Sequence, residues 1–278
     1  MEEELKKNIP QIVILAILII GGLFVLTKFS WVRCEEIPGW CSVYCKLVGN
    51  SRIAMISGKS GIGDPDEFSR QIVQYTYHVV ENIPPNQLSF GVLQRYDLVI
   101  VEKAENLTEK QVEAIEGYMD SGGTILWIGD SGTMGIYGLP EEIINEKETN
   151  STNTTAQQKV TGQVVQSYWK KTGLADYLLA DYDKKIDARN ATIITILETH
   201  PIMLGLKKEL TLKKTKFAVI KENPAGITKI SNMLINGEEY TAIMENRYVG
   251  KIVYFAFPPE DINSETFIMN LIGYLVNC

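Results

Sequence analysis

Residues 95–130 read RYDLVIVEKAENLTEKQVEAIEGYMDSGGTILWIGD, and this stretch decides the fold class. The segments 96–101 and 124–128 are dominated by the apolar runs LVIV and ILWI, and they predict β-strands that are buried on both faces. Between them, Thr108 is placed to start a helix with a capping box, and the helix is expected to end at Asp120, where two glycines follow. Strand, helix and strand at this spacing predict parallel strands joined by a right-handed crossover.

Further elements are expected on both sides of this unit. The chain predicts strands over 52–57, 191–197 and 216–220, a hairpin of strands 240–245 and 251–257, and helices over 66–81 and 264–277. A polar stretch over 138–190 interrupts the alternation and is expected to be an insertion with one or two short helices. We expect the strands that start near Arg52, Tyr96, Thr124 and Ala191 to share one largely parallel sheet.

The chain resembles a known superfamily at this point. The 95–130 stretch, THPIMLGL at 199–206 and GKIVYFAFPPE at 250–260 together resemble the class I glutamine amidotransferase-like superfamily. They resemble in particular its non-catalytic branches that are attached to membrane proteins. The resemblance covers residues 52–278, interrupted by the insertion over 138–189. It implies an α/β fold, a three-layer flavodoxin-like sandwich with a mostly parallel sheet.

Catalytic members of the superfamily carry a nucleophilic cysteine in a G-x-C-x-G elbow and a histidine and glutamate in H-P-E. The elbow position here reads GDSGT at 129–133, so Ser131 stands where the cysteine would be. His200 is followed by proline and isoleucine, so the acid is missing. The resemblance therefore implies a catalytically degenerate domain with no catalytic residues.

A serine hydrolase is the alternative interpretation of the same residues. Ser131 would be the nucleophile and His200 its base, oriented by one of four aspartates, Asp176, Asp181, Asp183 or Asp187. The simpler interpretation is that GDSG forms an ordinary turn, since aspartate and serine bond to nearby main chain and glycine tolerates positive φ. His200 would then be a loop residue that is hydrogen-bonded to backbone.

The loop SGKSGIG at 57–63 also follows a predicted strand and precedes a helix. Its N–H groups could face a phosphate, which makes Gly58, Ser60 and Gly61, together with Asp130, candidate ligand-binding residues. The loop lacks the spacing of a P-loop, and a tight strand-to-helix turn is the alternative. We expect no cofactor and no metal ligands.

The N-terminal run over 9–27 has no charged residue and predicts a membrane-spanning helix. With its flanking residues, it gives a transmembrane signal anchor at 9–29, a cytoplasmic N-terminus at 1–8 and a cysteine-containing juxtamembrane segment at 30–50. We expect a single-pass membrane protein whose large domain at 51–278 is extracytoplasmic. The expected partners are the lipid bilayer and a membrane protein.

Cysteines and glycosylation motifs suggest the same compartment. Four cysteines, an even number, predict two disulfides of undetermined connectivity among Cys34, Cys41, Cys45 and Cys278. Acceptor motifs for N-glycosylation start at Asn106, Asn150, Asn153 and Asn190. The net charge of −7 argues against a general nucleic-acid surface, and we expect no nucleic-acid partner.

Taken together, these features predict a protein that acts in binding or complex assembly. Two alternatives stay open. One is a membrane-tethered hydrolase that uses Ser131 and His200, and the other is an accessory or sensor subunit of a membrane complex.

Overall fold

The structure is a computed structural model that describes residues 14–15, 17–27, 37, 39–40, 43–44, 47, 49, 51–76, 78–135, 168–247 and 250–276. The chain divides into two compact units, Met1–Ser51 with Val276–Cys278, and Arg52–Leu275. All four cysteines, Asn150 and Asn153 lie outside the described residues, so the disulfide and two of the glycosylation predictions fall there.

The first unit contains a helical segment at 14–15 and 17–27 and a small aromatic cluster. Trp40 and Tyr44 are buried in this cluster against Leu23, Phe24 and Ile37. The Trp40 indole Nε1 donates to the Thr27 hydroxyl at 2.9 Å.

The prediction of a transmembrane anchor over 9–29 is wrong. Within the described part of the chain, no helix combines the length and the apolar character needed to cross a bilayer. The expected single-pass, extracytoplasmic localisation rested on that anchor and is contradicted with it.

The described residues of the second unit form one nine-stranded sheet. Its strands are β1 (Ile53–Ser57), β2 (Val80–Ile83), β3 (Leu98–Glu102), β4 (Thr124–Ile128), β5 (Ala180–Thr195), β6 (Glu209–Glu222), β7 (Ile227–Ile235), β8 (Glu238–Asn246) and β9 (Lys251–Phe255). Its α-helices are α1 (Pro65–Thr76), α2 (Phe90–Leu93), α3 (Glu109–Asp120), α4 (Tyr168–Thr172), α5 (Leu174–Leu178) and α6 (Glu265–Leu275). The described residues of this unit also form three short 3₁₀ turns, η1 (Pro85–Gln87), η2 (Pro201–Met203) and η3 (Pro259–Ile262).

Half of the sheet is parallel. The strand order is β2-β1-β3-β4-β9-β8-β7-β5-β6, and the first five strands pair in parallel. The capping box at Thr108 is present: its hydroxyl accepts from Gln111 N, while the Gln111 side chain accepts from Thr108 N. Helix α1 ends at Thr76, short of the predicted 81, because the chain turns there into the unpredicted strand β2.

The other half is antiparallel, which contradicts the predicted mostly parallel flavodoxin-like sandwich. The predicted strand over 191–197 is the end of the much longer β5, which pairs antiparallel with β6 and β7. A parallel pair needs a crossover of about a dozen residues or more, usually a helix. The β5–β6 connection, residues 196–208, is long enough for a crossover but has no helix longer than the three-residue η2 to pack across the sheet, and the chain returns antiparallel.

The two faces of the sheet are covered by different helices. On one face, Trp169 of α4 meets Tyr254 of β9 edge to face, with ring centroids 6.0 Å apart. On the other, Phe267 of α6 packs against Phe255, the next residue of β9. Successive strand residues point to opposite faces, so α4 and α6 lie on opposite sides of the sheet. Helix α1 contacts α6.

Candidate functional site

The parallel half of the sheet contains a topological switch point at β1. From β1 the chain passes through α1 to β2 on one side, and then returns to β3 on the other side of β1. Open α/β sheets bind ligands beyond the carboxyl ends of the strands at such a point. The site to examine is therefore formed by the loops that follow β1 and β3.

These two loops are joined to each other by backbone hydrogen bonds. Gly58 N donates to Lys103 O at 3.2 Å, Lys103 N donates to Ile62 O at 3.1 Å, and Glu105 N donates to Ser60 O at 3.0 Å. A Cβ at Gly61 would lie 2.9 Å from Lys103 Cα, so only glycine allows this approach. The crevice is filled by the protein's own backbone.

The predicted ligand-binding residues do come together here, but around a carboxylate of the protein itself. Asp130 is fully buried, and its Oδ1 accepts from Ile62 N at 2.6 Å. Its Oδ2 accepts from Lys185 Nζ at 2.6 Å, and Glu105 lies 3.5 Å from the same amine. Burial alone would lower the pKa of Lys185, but its bonds to these two carboxylates raise it. Asp130 thus takes the loop N–H that a phosphate would need.

Ser131 is buried and bound to the main chain. Its Oγ accepts from Ala104 N at 3.3 Å and donates to Val101 O at 3.4 Å. Its carbonyl oxygen accepts from the indole N–H groups of Trp127 at 3.1 Å and Trp169 at 2.9 Å. A nucleophile elbow presents its hydroxyl on a strained turn. In GDSGT the residues with positive φ are Gly129 and Gly132, not Ser131.

His200 belongs to a different polar cluster. Its Nε2 lies 3.4 Å from Glu245 Oε2, its Nδ1 accepts from Ile202 N at 3.3 Å, and its ring packs against Tyr274. Glu245 also accepts from Arg247 Nε at 2.8 Å and from the Tyr274 hydroxyl. Burial would raise the pKa of Glu245, but bonds from His200, Arg247 and Tyr274 outweigh it and lower the pKa to about 2.

The structure does not bring Ser131 and His200 together. Trp127 is in register with Tyr254, whereas Glu245 is in register with Val253, the neighbouring residue of β9. The Ser131 carbonyl is therefore on the tryptophan face and the His200 cluster on the opposite face. The carboxylate beside His200 is Glu245 rather than one of the four predicted aspartates.

A pair of buried glutamates lies at the same carboxyl edge as the glycine loop, and it was not predicted. Glu102 ends β3 with no exposed surface, and Glu260 of η3 is 6% exposed. Both oxygens of Glu102 and Oε2 of Glu260 have no hydrogen-bond donor among the described residues. Burial and the charge of Glu260 raise the pKa of Glu102 well above its ordinary value. Burial raises the pKa of Glu260 to about 7.

Some of these residues were visible in the sequence and others were not. A glutamate that ends a buried apolar strand, as in LVIVE at 98–102, is a signal that could have identified Glu102. Lys185 lies in the stretch that was predicted to be an insertion, and no sequence pattern there indicated its contact with Asp130. Asn106 and Asn190, two of the predicted glycosylation sites, are both exposed. Among the described residues, no three His, Cys, Asp or Glu side chains are grouped to hold a metal ion.

Comparison with known proteins identifies the fold. No family model matches the chain, and no curated protein matches it significantly. A ThuA-like protein from Bacteroides uniformis matches with a TM-score of 0.55 and 11% identity over 81% of this chain and 90% of that one. A β-galactosidase from Rahnella sp. R3 matches with a TM-score of 0.56 and 16% identity, over 84% of this chain but only 33% of the β-galactosidase. A β-galactosidase from Bacillus circulans sp. alkalophilus matches with a TM-score of 0.56 and 13% identity, over 81% of this chain and 30% of that one.

The chain thus shares its fold with the ThuA-like protein from Bacteroides uniformis and spans about a third of the length of the two β-galactosidases. At these identities the likeness concerns the fold alone.

Proposed function

We propose that the Arg52–Leu275 unit is a catalytically degenerate amidotransferase-like domain that acts in binding or complex assembly. The observation that carries the proposal is the state of Ser131, whose hydroxyl is buried and bound to the main chain of β3 and its loop. A serine nucleophile needs a base within hydrogen-bond reach, and His200 is on the other face of the sheet.

The phosphate-loop alternative is disfavoured by the same site. A bound phosphate would have to displace Asp130 from Ile62 N and compete with it for Lys185. A second anion beside the buried Asp130 carboxylate would be repelled. The accessory-subunit alternative stays within the binding role. A membrane-protein partner and the absence of nucleic-acid binding remain predictions.

Labelling with a fluorophosphonate probe tests the proposal. We expect wild-type protein and the Ser131→Ala variant to be labelled to the same extent. The probe cannot reach the buried Ser131 hydroxyl, and no base lies beside it. Ser89→Ala, at an exposed serine, is the matched control for losing one hydroxyl. Labelling that disappears only in Ser131→Ala would overturn the binding role in favour of the hydrolase.

A cysteine at position 131 gives a second readout that does not depend on the choice of serine probe. In Ser131→Cys the thiol should resist iodoacetamide in native protein and react once the protein is unfolded, since buried thiols are inert. Mass mapping of the peptide that contains position 131 separates it from the native cysteines. Ser89→Cys should react in both states. Fast native alkylation of the thiol at 131 would show a working elbow.

A further inference from the structure

The buried glutamates join three parts of the chain that close over the switch point. Glu102 is the last residue of β3, and its carboxyl lies against Gly63 of the loop that follows β1. Glu260 in η3 accepts from Asp64 N at 2.7 Å through its Oε1. Its carbonyl accepts from Gln71 of α1. These contacts fix the end of the glycine loop and the start of α1 to the turn after β9.

The pair has more acceptors than donors. Three carboxyl oxygens, two of Glu102 and one of Glu260, are buried without a donor among the described residues. Two ionised carboxylates cannot bond to each other, but a protonated one can donate to the other. The charge of Glu260 also raises the pKa of Glu102, so the two groups resist ionising together. One proton between Glu102 and Glu260 satisfies both requirements.

The charged groups around the pair add to this effect. From the β1–α1 loop, the charge of Asp64 raises the pKa of Glu102, and from η3 the charge of Asp261 raises that of Glu260. On α1, Arg70 is already paired with Glu67. Three other charged groups nearby, Lys103 after β3, Glu265 on α6 and Lys216 on β6, have no salt bridge to either glutamate among the described residues.

We infer that Glu102 and Glu260 form a proton-dependent latch, which holds the Gly58–Asp64 loop closed over the carboxyl ends of β1 and β3 and weakens as these carboxyls ionise. The inference deepens the proposed binding role, because the loop covers the crevice where a partner would enter. The regulating ligand is the proton itself.

The direction of the pH response follows from the pKa of Glu260. In the closed state it is about 7, and in an open, solvated loop it would return to about 4.5. Closure is therefore fully stabilised below about pH 4.5, weakens as the pH rises towards 7 and Glu260 ionises, and weakens further where Glu102, whose pKa is also raised, ionises. Each unit of difference between the two pKa values shifts the opening equilibrium about tenfold.

Hydrogen exchange followed by mass spectrometry tests the latch in the full chain. We expect protection of the amides in 58–64, corrected for intrinsic rates, to fall at least about tenfold between about pH 5 and pH 8. Glu260→Gln should reduce the change to about twofold or less, because the glutamine amide donates to Glu102 at every pH. Glu102→Gln, which removes the other carboxyl, should do the same.

Glu116→Gln is the matched control. Burial raises the pKa of Glu116 to about 7 as well, but it lies on α3, away from the loop. In Glu116→Gln, the pH-dependent change in protection of residues 58–64 should equal that of wild type. Equal protection at both pH values in wild type, or an unchanged response in Glu260→Gln, would overturn the latch. An equal loss of amide protection in β4 would also overturn it, since that loss reports global unfolding. None of these outcomes bears on Ser131, so the binding role is tested separately.

Discussion

Gly63 is the residue on which the closed loop most depends. Its φ is +113°, a conformation that L side chains rarely adopt, and a Cβ there would overlap the Glu102 carboxyl. We expect Gly63→Ala to lower the free energy of unfolding by at least about 2 kcal/mol, from backbone strain and displacement of a buried side chain. Urea denaturation measures the change.

Gly91→Ala is the control for this substitution. Gly91 is in helix α2, and a Cβ there would meet nothing within 4 Å. Alanine is favoured over glycine in a helix, so the control should be neutral or stabilised by up to about 1 kcal/mol. Equal effects of the two substitutions would contradict the packing of Gly63 on Glu102.

At this scale the sequence predicted which residues gather, but not what they do. Gly58, Ser60, Gly61 and Asp130 do meet, because parallel strands end at one edge of the sheet. The role of Asp130 depends on Lys185, which arrives from β5 along an antiparallel path that no local pattern indicated. The faces occupied by Ser131 and His200 depend on the register of β8 against β9, and residue type does not encode this register.

At the scale of elements, helix α3 offers a direct test of local sequence signals. Thr108 caps it with a complete capping box, whereas Ser89 stands at the N-cap of α2 without a side-chain hydrogen bond. Thr108→Ala should therefore lower the free energy of unfolding by about 1 kcal/mol. Ser89→Ala should change it by less than about 0.5 kcal/mol. Comparable losses in the two variants would argue against the capping box.

Elements with strong local patterns were predicted well. β1, β3, β4 and α3 lie within about two residues of their predicted bounds because continuous apolar runs and a capping box are local signals. The first half of β5, ADYDKKIDARN at 180–190, is mostly polar and was therefore assigned to the insertion. It is a strand because β6 pairs with it along nearly its whole length. Such pairing is a long-range property.

For the whole molecule, the raised and lowered carboxyl pKa values predict an unusual stability profile. Glu245 has a pKa of about 2, so its contribution is present above about pH 4.5 and is lost as the pH falls towards 2. Glu260 has a pKa of about 7, so its contribution is present below about pH 4.5 and is lost as the pH rises to 7. Each shift corresponds to about 3 kcal/mol.

The two losses leave a maximum between them, so stability should peak at about pH 4.5–5 rather than near neutrality. Urea unfolding across the pH range measures the profile. Glu260→Gln removes part of the loss on the neutral side, so its maximum should move to higher pH, whereas Glu245→Gln should flatten only the acid side. Glu102 acts in the same direction as Glu260, because burial also favours its protonated form. A wild-type profile that rises from pH 5 to 8 would show that Glu102 and Glu260 are not buried together as carboxyls.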